Sequence, residues 1–365
     1  MLLSFEDECF ESFWFRVKIA LLAPIEESVP PKKYGGTERV VFNLAEELVG
    51  LGHEVDLYAT ADSKTSANLI PVTDKPIRNL LAQNPREWFS KEIEAAYFVT
   101  KSVRHKHYDI IHSNLDEPFT LVNRYIREPV VTTLHNPVPL YLEKAYEKQH
   151  FISISNSQRK LSPGLDYVAT VYNGIKVSSF EFNPKPKNYL MFLGRISPDK
   201  GIVEAIHIAK KTRNKLVIVA KVDPPERAFY RNIVKPLIDN KQITYLGEVD
   251  EQRKIEILKE ARALISPIQW DEPFGLVNIE ALACGVPVIS IARGSIPEIF
   301  MDARVGYLCN NVEQMITKVG QIDKISRKVC RAHVEKYFDS KIMAQNYVKA
   351  YRKVIRQRLN HLKNK

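Results

Sequence analysis

The sequence predicts an α/β protein made of two Rossmann-like domains whose parallel sheets face one another across a cleft. Three observations lead there. A length of 365 residues suits two domains at roughly 100 to 200 residues each. Short apolar runs alternate with longer amphipathic stretches, the pattern of strand-helix-strand units and hence of parallel sheets. A Pro- and Lys-rich stretch near Asn183 to Lys187 then divides the series into halves of similar size.

Val17 to Ala23 reads as the first strand, followed by a polar loop and a helix over Thr37 to Leu51. Gly52 and His53 close that helix, and Glu54 to Thr60 is the next strand. Tyr108 to His112, Val130 to Leu134 and Phe151 to Ser155 continue the set. The second set comprises Tyr189 to Leu193, Leu216 to Ala220, Ile243 to Leu246, Ala263 to Ser266 and Val286 to Ser290. The expected organisation is an extension over residues 1–16, a first domain over 17–175, a second over 176–340, and a basic helix over 341–365 that packs back on the first domain.

With 45% hydrophobic and 26% charged residues, the chain is globular, and a disordered or fibrous protein is excluded. Its net charge is +10, but Lys341 to Lys365 holds eight basic residues and no acidic one, which leaves +2 for the rest. A near-neutral body argues against nucleic acid as a partner. Cys9, Cys284, Cys309 and Cys330 lie far apart with no metal-ligand spacing, as in a reduced protein. Met1 to Phe15 carries Glu6, Asp7, Glu8 and Glu11 where a secretory signal needs positive charge, and no run of about 18 apolar residues occurs, so a cytoplasmic location is expected.

Chemistry concentrates in Asp271 to Ile289, DEPFGLVNIEALACGVPVI. Glu272 falls in a strand-to-helix loop and Glu280 eight positions on, about two turns into the helix. Between them the amides of Phe274, Gly275, Leu276 and Val277 form a helix N-terminus, which with the helix dipole holds phosphate oxygens without a metal. Glu280 is placed to accept hydrogen bonds from a ribose, Glu272 from a hexose. Arg195 and Lys200 follow a strand, where two fixed cations would offset a diphosphate. No D-x-D occurs, so no metal is expected. Gly35 and Gly36 open the first helix, where a missing Cβ allows close approach to a ligand. G-x-G-x-x-G is absent from that turn, which counts against a nicotinamide or flavin enzyme. His112 and His135 follow strands of the first half; the former reads as structural.

The string Glu272 to Glu280 with the following EALACGVPV resembles the E-x7-E signature of glycosyltransferase family 4, whose fold is GT-B. Gly35-Gly36-Thr37-Glu38, Val171 to Ile175, Phe192 to Gly201 and Arg293 to Glu298 match in order, so the resemblance runs from about Val17 to Gly306; Leu282 stands where the family usually has Met. It implies a retaining hexosyl transfer from a nucleotide diphosphate sugar, as co-substrate rather than cofactor, to a hydroxyl acceptor. It also implies that Arg195 and Lys200 bind the diphosphate, that Gly35 and Gly36 wall the site, and that His135 reaches the transferred sugar from the acceptor side. Two alternatives stay open: a GT-B-like sugar-nucleotide epimerase, and a non-catalytic sugar-nucleotide-binding protein. UDP, GDP and ADP donors are equally open, with Asp223 in a plausible base-facing loop. The acceptor site is expected from Pro24 to Tyr34 and Leu69 to Ser90. In the tail, Met343, Tyr347, Tyr351, Val354, Ile355, Leu359 and Leu362 recur at helical spacing among the cations. The first half of that helix is expected in the core, and the basic end beside an anionic membrane.

Overall fold

A central strand of a parallel sheet covered on both faces is buried along most of its length, and β1 (Lys18–Leu22), buried after Lys18, and β8 (Leu190–Arg195), buried over Leu190 to Phe192 and half-buried where it nears its carboxyl end, are such strands. The computed structural model describes residues 16–363 apart from 116–118, 121–122, 124–125, 139 and 148; the extension expected over 1–16, Cys9 included, therefore lies outside the described residues except for Arg16. Around β1 the order is β3-β2-β1-β4-β5-β6-β7, with β2 (Glu54–Thr60), β3 (Asn68–Thr73), β4 (Ile110–Ser113), β5 (Val130–Leu134), β6 (His150–Ser153) and β7 (Asp166–Thr170), all paired parallel. Around β8 it is β10-β9-β8-β11-β12-β13, with β9 (Leu216–Lys221), β10 (Ile243–Tyr245), β11 (Ala263–Ser266), β12 (Val288–Ile291) and β13 (Gly306–Cys309), again all parallel. Both sheets reverse their winding beside the central strand, and that switch point opens a crevice at the carboxyl ends.

Three strands depart from the sequence reading. β3, β7 and β13 are sheet edges, half covered and without an uninterrupted apolar run, and β3 carries Pro71, which only an edge tolerates. Part of the expected acceptor loop over Leu69 to Ser90 is thus the edge strand β3.

Helix α1 (Gly36–Gly50) covers one face of the first sheet with Val40, Val41, Leu44 and Leu48. Helices α2 (Arg78–Gln83) and α3 (Pro85–Arg104) lie on the other, where Ala96, Val99 and Val103 of α3 meet Ala20 and Leu22 of β1. Helices α4 (Asn156–Leu161), α5 (Ile202–Lys211), α6 (Glu251–Glu260), α7 (Leu276–Ala283), α8 (Ile296–Ile299), α9 (Val312–Val319) and α10 (Arg327–Tyr337) follow, α5 to α10 belonging to the second half. The last helix, α11 (Ser340–Lys363), crosses back: Met343, Tyr347, Tyr351 and Val354 join α1 in the first core. Its final turns are exposed from Arg356 to Asn360, and the side chain of Leu362 lies outside the described residues.

The two passages between the halves bind each other. Ile175 N–H donates to Phe338 O at 3.0 Å and Ser340 N–H to Ile175 O at 2.9 Å, a one-residue parallel bridge. Gly174 makes the crossing possible, because a Cβ there would sit 2.9 Å from both Asp339 O and Met343 Cβ.

His112, at the end of β4, ties α11 to the sheet. With Nε2 protonated, it donates to Thr133 Oγ1 at 2.7 Å and its Nδ1 accepts from the Tyr351 hydroxyl at 2.7 Å, while Thr133 donates to Tyr347 at 3.1 Å. Its reading as a structural residue fits these bonds. Burial holds His112 down to about 3 and His135 to about 4, against 6.5 in an unfolded chain. Between those values the unfolded state binds more protons, so stability is complete above about pH 6.5 and is lost as pH falls toward 4, by up to ~1.4 kcal/mol per pH unit for each imidazole. Urea unfolding across this range should show that loss, and Tyr351→Phe, which strands a buried ring nitrogen, should cost ~1 to 3 kcal/mol at neutral pH. An acid-insensitive midpoint, or a neutral Tyr351→Phe, would contradict the assignment.

Candidate active site

A cleft of about 510 Å³ lies between the facing carboxyl ends of the two sheets. From the first half come Gly35, Gly36, Glu38, Arg78 and His135; from the second come Arg195, Lys200, Lys221, Glu272 and Glu280. The residues singled out in the sequence therefore converge on one space.

The second-half wall begins where β8 ends. Arg195 pairs with Asp199 at 3.2 Å, and the turn that follows places Lys200 deeper in the cleft. That turn closes at Gly201, whose φ of +72° and close approach to Pro267 O exclude any side chain. Lys200 Nζ lies 2.5 Å from Glu272 Oε2 and 5.0 Å from the Trp270 ring centroid, and Trp270 Nε1–H donates to the same carboxylate oxygen at 2.9 Å. Two residues assigned to different parts of a ligand are thus paired with each other. Both are largely covered, so the pair is held in place and not dispersed in solvent.

After this loop Gly275 adopts φ +89° and starts α7, with no side chain capping its first turn. Leu276 and Val277 line the cleft there, at a helix start whose first amides have no side-chain cap. Phe274 does more than supply an amide: its ring packs with Tyr172 and Phe338 at centroid distances of 6.2 and 6.0 Å, inside the domain junction. Glu280 sits just over one turn into α7, nearer its start than the two turns its spacing from Glu272 suggested, because the loop takes up the first residues. It is 5% exposed, and burial raises its carboxyl above the ordinary range against the pull of Lys254. Lys254 Nζ lies 2.7 Å from Glu280 and 2.9 Å from Glu251, and Glu251 lies 3.1 Å from Arg39 on α1. An ion chain thus runs from the first half to the bottom of the second-half pocket.

On the first-half wall, Gly35 and Gly36 differ. A Cβ on Gly35 would meet Pro31 at 2.7 Å, so its own loop demands glycine; at Gly36 a Cβ would sit in ordinary contact, 3.5 Å from Leu276 Cδ1 across the cleft. His135 Nε2 meets Asn114 Oδ1 at 2.9 Å, and burial keeps the ring neutral at pH 7. Tyr34 reaches over: its N–H donates to Glu248 Oε1 at 3.2 Å, and Lys221 Nζ lies 4.1 Å from its ring centroid while pairing with Asp223 at 2.9 Å.

Several cleft residues carried no sequence signal. Lys254 and Arg39 look like solvated faces of amphipathic helices, and only the tertiary pairing reveals them. Asn173 lies in the junction motif read from the sequence, and its buried Oδ1 borders the cleft without a protein partner. Glu298, in the last matched motif, caps α4 of the opposite half through the amides of Asn156 and Ser157 at 2.8 and 2.7 Å.

The family model described as glycosyl transferases group 1 matches residues 176–332, and that described as Glycosyltransferase Family 4 matches residues 34–178. The chain belongs to this family of glycosyltransferases. Together the two models span both walls of the cleft. The chain is 22% identical over 333 residues to the glycogen synthase of Mycobacterium tuberculosis, covering 77% of this chain and 80% of that one. It shares its fold with the sucrose-phosphate synthase of Thermosynechococcus elongatus, at 21% identity and a TM-score of 0.75 over 94% of this chain and all of the other. The Anabaena protein HepE, solved in complex with UDP and glucose, superposes with a TM-score of 0.69 at 17% identity, over 91% of this chain and 98% of its own. The fold of this glycosyltransferase is GT-B.

The position of Glu272 rests on one turn. Gly294 has φ +57°, and a Cβ there would lie 2.4 Å from both Glu272 N and Glu272 O, while Ser295 N–H donates to Glu272 O at 2.9 Å. Gly294→Ala should therefore lower the melting temperature by several degrees and displace the Lys200–Glu272 pair. A crystal structure of the variant with that loop unmoved would refute this dependence.

Proposed function

We propose that this glycosyltransferase takes a hexosyl group from a nucleoside diphosphate sugar and transfers it, with retention and without a metal, to a hydroxyl acceptor. The observation that carries the reading is the convergence of Arg195, Lys200 and the uncapped start of α7 on one cleft that also holds Glu272, Glu280 and, opposite them, His135. Two fixed cations and a helix N-terminus match a diphosphate. The buried Glu280, paired with Lys254, matches a pair of vicinal ribose hydroxyls. Glu272 matches the hydroxyls of the sugar. The names of relatives, glycogen synthase and a protein bound to UDP and glucose, accord with a glucose-like hexose.

In the transfer, the bond from the anomeric carbon to the β-phosphate oxygen breaks as the acceptor oxygen bonds the same face of that carbon. The acceptor proton passes to the departing phosphate. Arg195 and Lys200 stabilise the charge gathering on the diphosphate, so they contribute most when the bond is breaking. Glu272 is engaged by Lys200 and Trp270, which suits hydrogen bonding to a sugar and not attack on it. His135, neutral and oriented by Asn114, holds the sugar, and Asn173 lines the same cleft.

Arg195→Ala and Lys200→Ala should each lower kcat by ~10² to 10³ with little change in melting temperature, the scale of one lost electrostatic contact. Calorimetry should separate the glutamates: Glu280→Gln weakens nucleoside diphosphate and donor alike, whereas Glu272→Gln and His135→Ala spare the diphosphate and weaken the donor or the transfer. Equal losses for both ligands in the Glu272 and Glu280 variants would overturn this division, and near-normal kcat in either cation variant would overturn the phosphate assignment.

A further inference from the structure

The helical pair α2 and α3 carries an apolar face that the fold leaves uncovered. Leu81, Phe89, Ile93 and Tyr97 are 49, 54, 50 and 67% exposed. On α3 they belong to one row, Arg86, Phe89, Ile93, Tyr97, Lys101 and Arg104, spaced three or four residues apart, with every member exposed. Aromatic and aliphatic groups fill its middle and cations stand at both ends. Of the nearby acids, Glu94 pairs with Lys91 at 2.7 Å, Glu87 accepts from Asn84 Nδ2 at 3.0 Å, and Glu92 is half-buried beside the row and not part of it. The inner face of α3 is fully used, with Ala95 against Ile25 and Ile77 and Ala96, Val99 and Val103 in the sheet core. The outward row is therefore a second amphipathic face on a helix that needs only one.

We propose that this row seats on an anionic lipid bilayer. Aromatic side chains entering the interface while Arg and Lys at the row's ends stay at headgroup level is the arrangement of a helix lying in a membrane surface. A second copy of the chain is a poorer occupant. Two such rows packed antiparallel set Arg86 against Lys101 and Arg104, and packed parallel set each cation against its own copy, so like charges meet either way.

Position gives the contact a purpose. α2 begins at Arg78, which lines the cleft, and α3 runs from the carboxyl ends of the first sheet toward its amino ends. The apolar face thus starts at the acceptor side of the cleft mouth, where a hydroxyl carried on a lipid would arrive. The basic end of α11 is placed otherwise: it lies on the opposite face of the sheet, and Arg358 reaches the carbonyl of Arg127, ahead of β5 and away from the cleft. That consequence rests on the reading of the cleft given above; the docking itself does not, and it is measured without turnover.

Co-sedimentation of the full chain with phosphatidylcholine vesicles, with and without phosphatidylglycerol, tests it. Binding should require the anionic lipid. Phe89→Ser with Tyr97→Ser, and separately Arg86→Gln with Lys101→Gln, should each reduce it at least ~10-fold, while a chain ending at Ile355 should bind within ~2-fold of the full one. All four side chains are exposed, so melting temperature and nucleoside diphosphate affinity should be unchanged, which separates a docking failure from a failure of the cleft assignment. Binding that is absent, indifferent to both pairs of substitutions, or abolished by the truncation would overturn the proposal. So would a concentration-dependent dimer that disappears with the Phe89 and Tyr97 substitutions.

Discussion

The backbone bridge between Ile175 and the Phe338 to Ser340 segment is the constraint on which the rest of the molecule depends. The chain passes between its halves twice, and both passages run side by side, while Arg39 with Glu251, Tyr34 with Glu248 and Glu298 on α4 add contacts across the cleft. Gly174 permits the contact, Tyr172, Phe274 and Phe338 pack around it, and α11 carries the tie into the first core through Tyr347 and Tyr351. Everything in the cleft is positioned relative to this point. Asn173 precedes it in the chain, and Phe274 ends the loop that leads into α7 and Glu280.

Charge in the cleft is arranged in pairs that a diphosphate sugar would enter. Lys200 with Glu272 and Lys254 with Glu280 are both largely shielded, and an unpaired charge at such depth would be costly. The pairing leaves neither member of either pair without a partner in that protected space. The second pair is also connected through Glu251 to Arg39 of the first half. The carboxylate assigned to the nucleoside is therefore electrostatically linked to the relative placement of the two halves, as is Tyr34 through Glu248 and Lys221.

Much of this was legible in the sequence, for reasons that can be named. Buried parallel strands leave continuous apolar runs, so β1, β2, β8, β9, β11 and β12 could be read, whereas the edge strands β3, β7 and β13 lack that signal. Glu272, Glu280, Arg195 and Lys200 stand in local motifs that a strand-loop-helix geometry can interpret. Lys254 and Arg39 could not be found, because their significance lies in partners 26 and 212 residues away in the chain and not in their neighbours. Tyr172 and Phe274 were quoted within motifs, but their packing role depends on Phe338, far outside either motif. Of the row on α3, only Arg86 and Phe89 fall within Leu69 to Ser90, the region read as part of the acceptor site, and its outward face was not read at all, since exposure cannot be told from burial before the helix is docked.

On the proposed reading this cleft recognises a diphosphate with fixed cations and amides and a nucleoside with Glu280. Thermal unfolding with UDP, GDP and ADP in the presence of EDTA, each beside its parent nucleoside, tests it most directly. One diphosphate, at about a hundred times its Kd, should stabilise the chain by ~2.7 kcal/mol with the chelator present, and the nucleoside at the same concentration should give much less. A shift that requires added magnesium, or one that is equal for nucleoside and nucleoside diphosphate, would contradict the account.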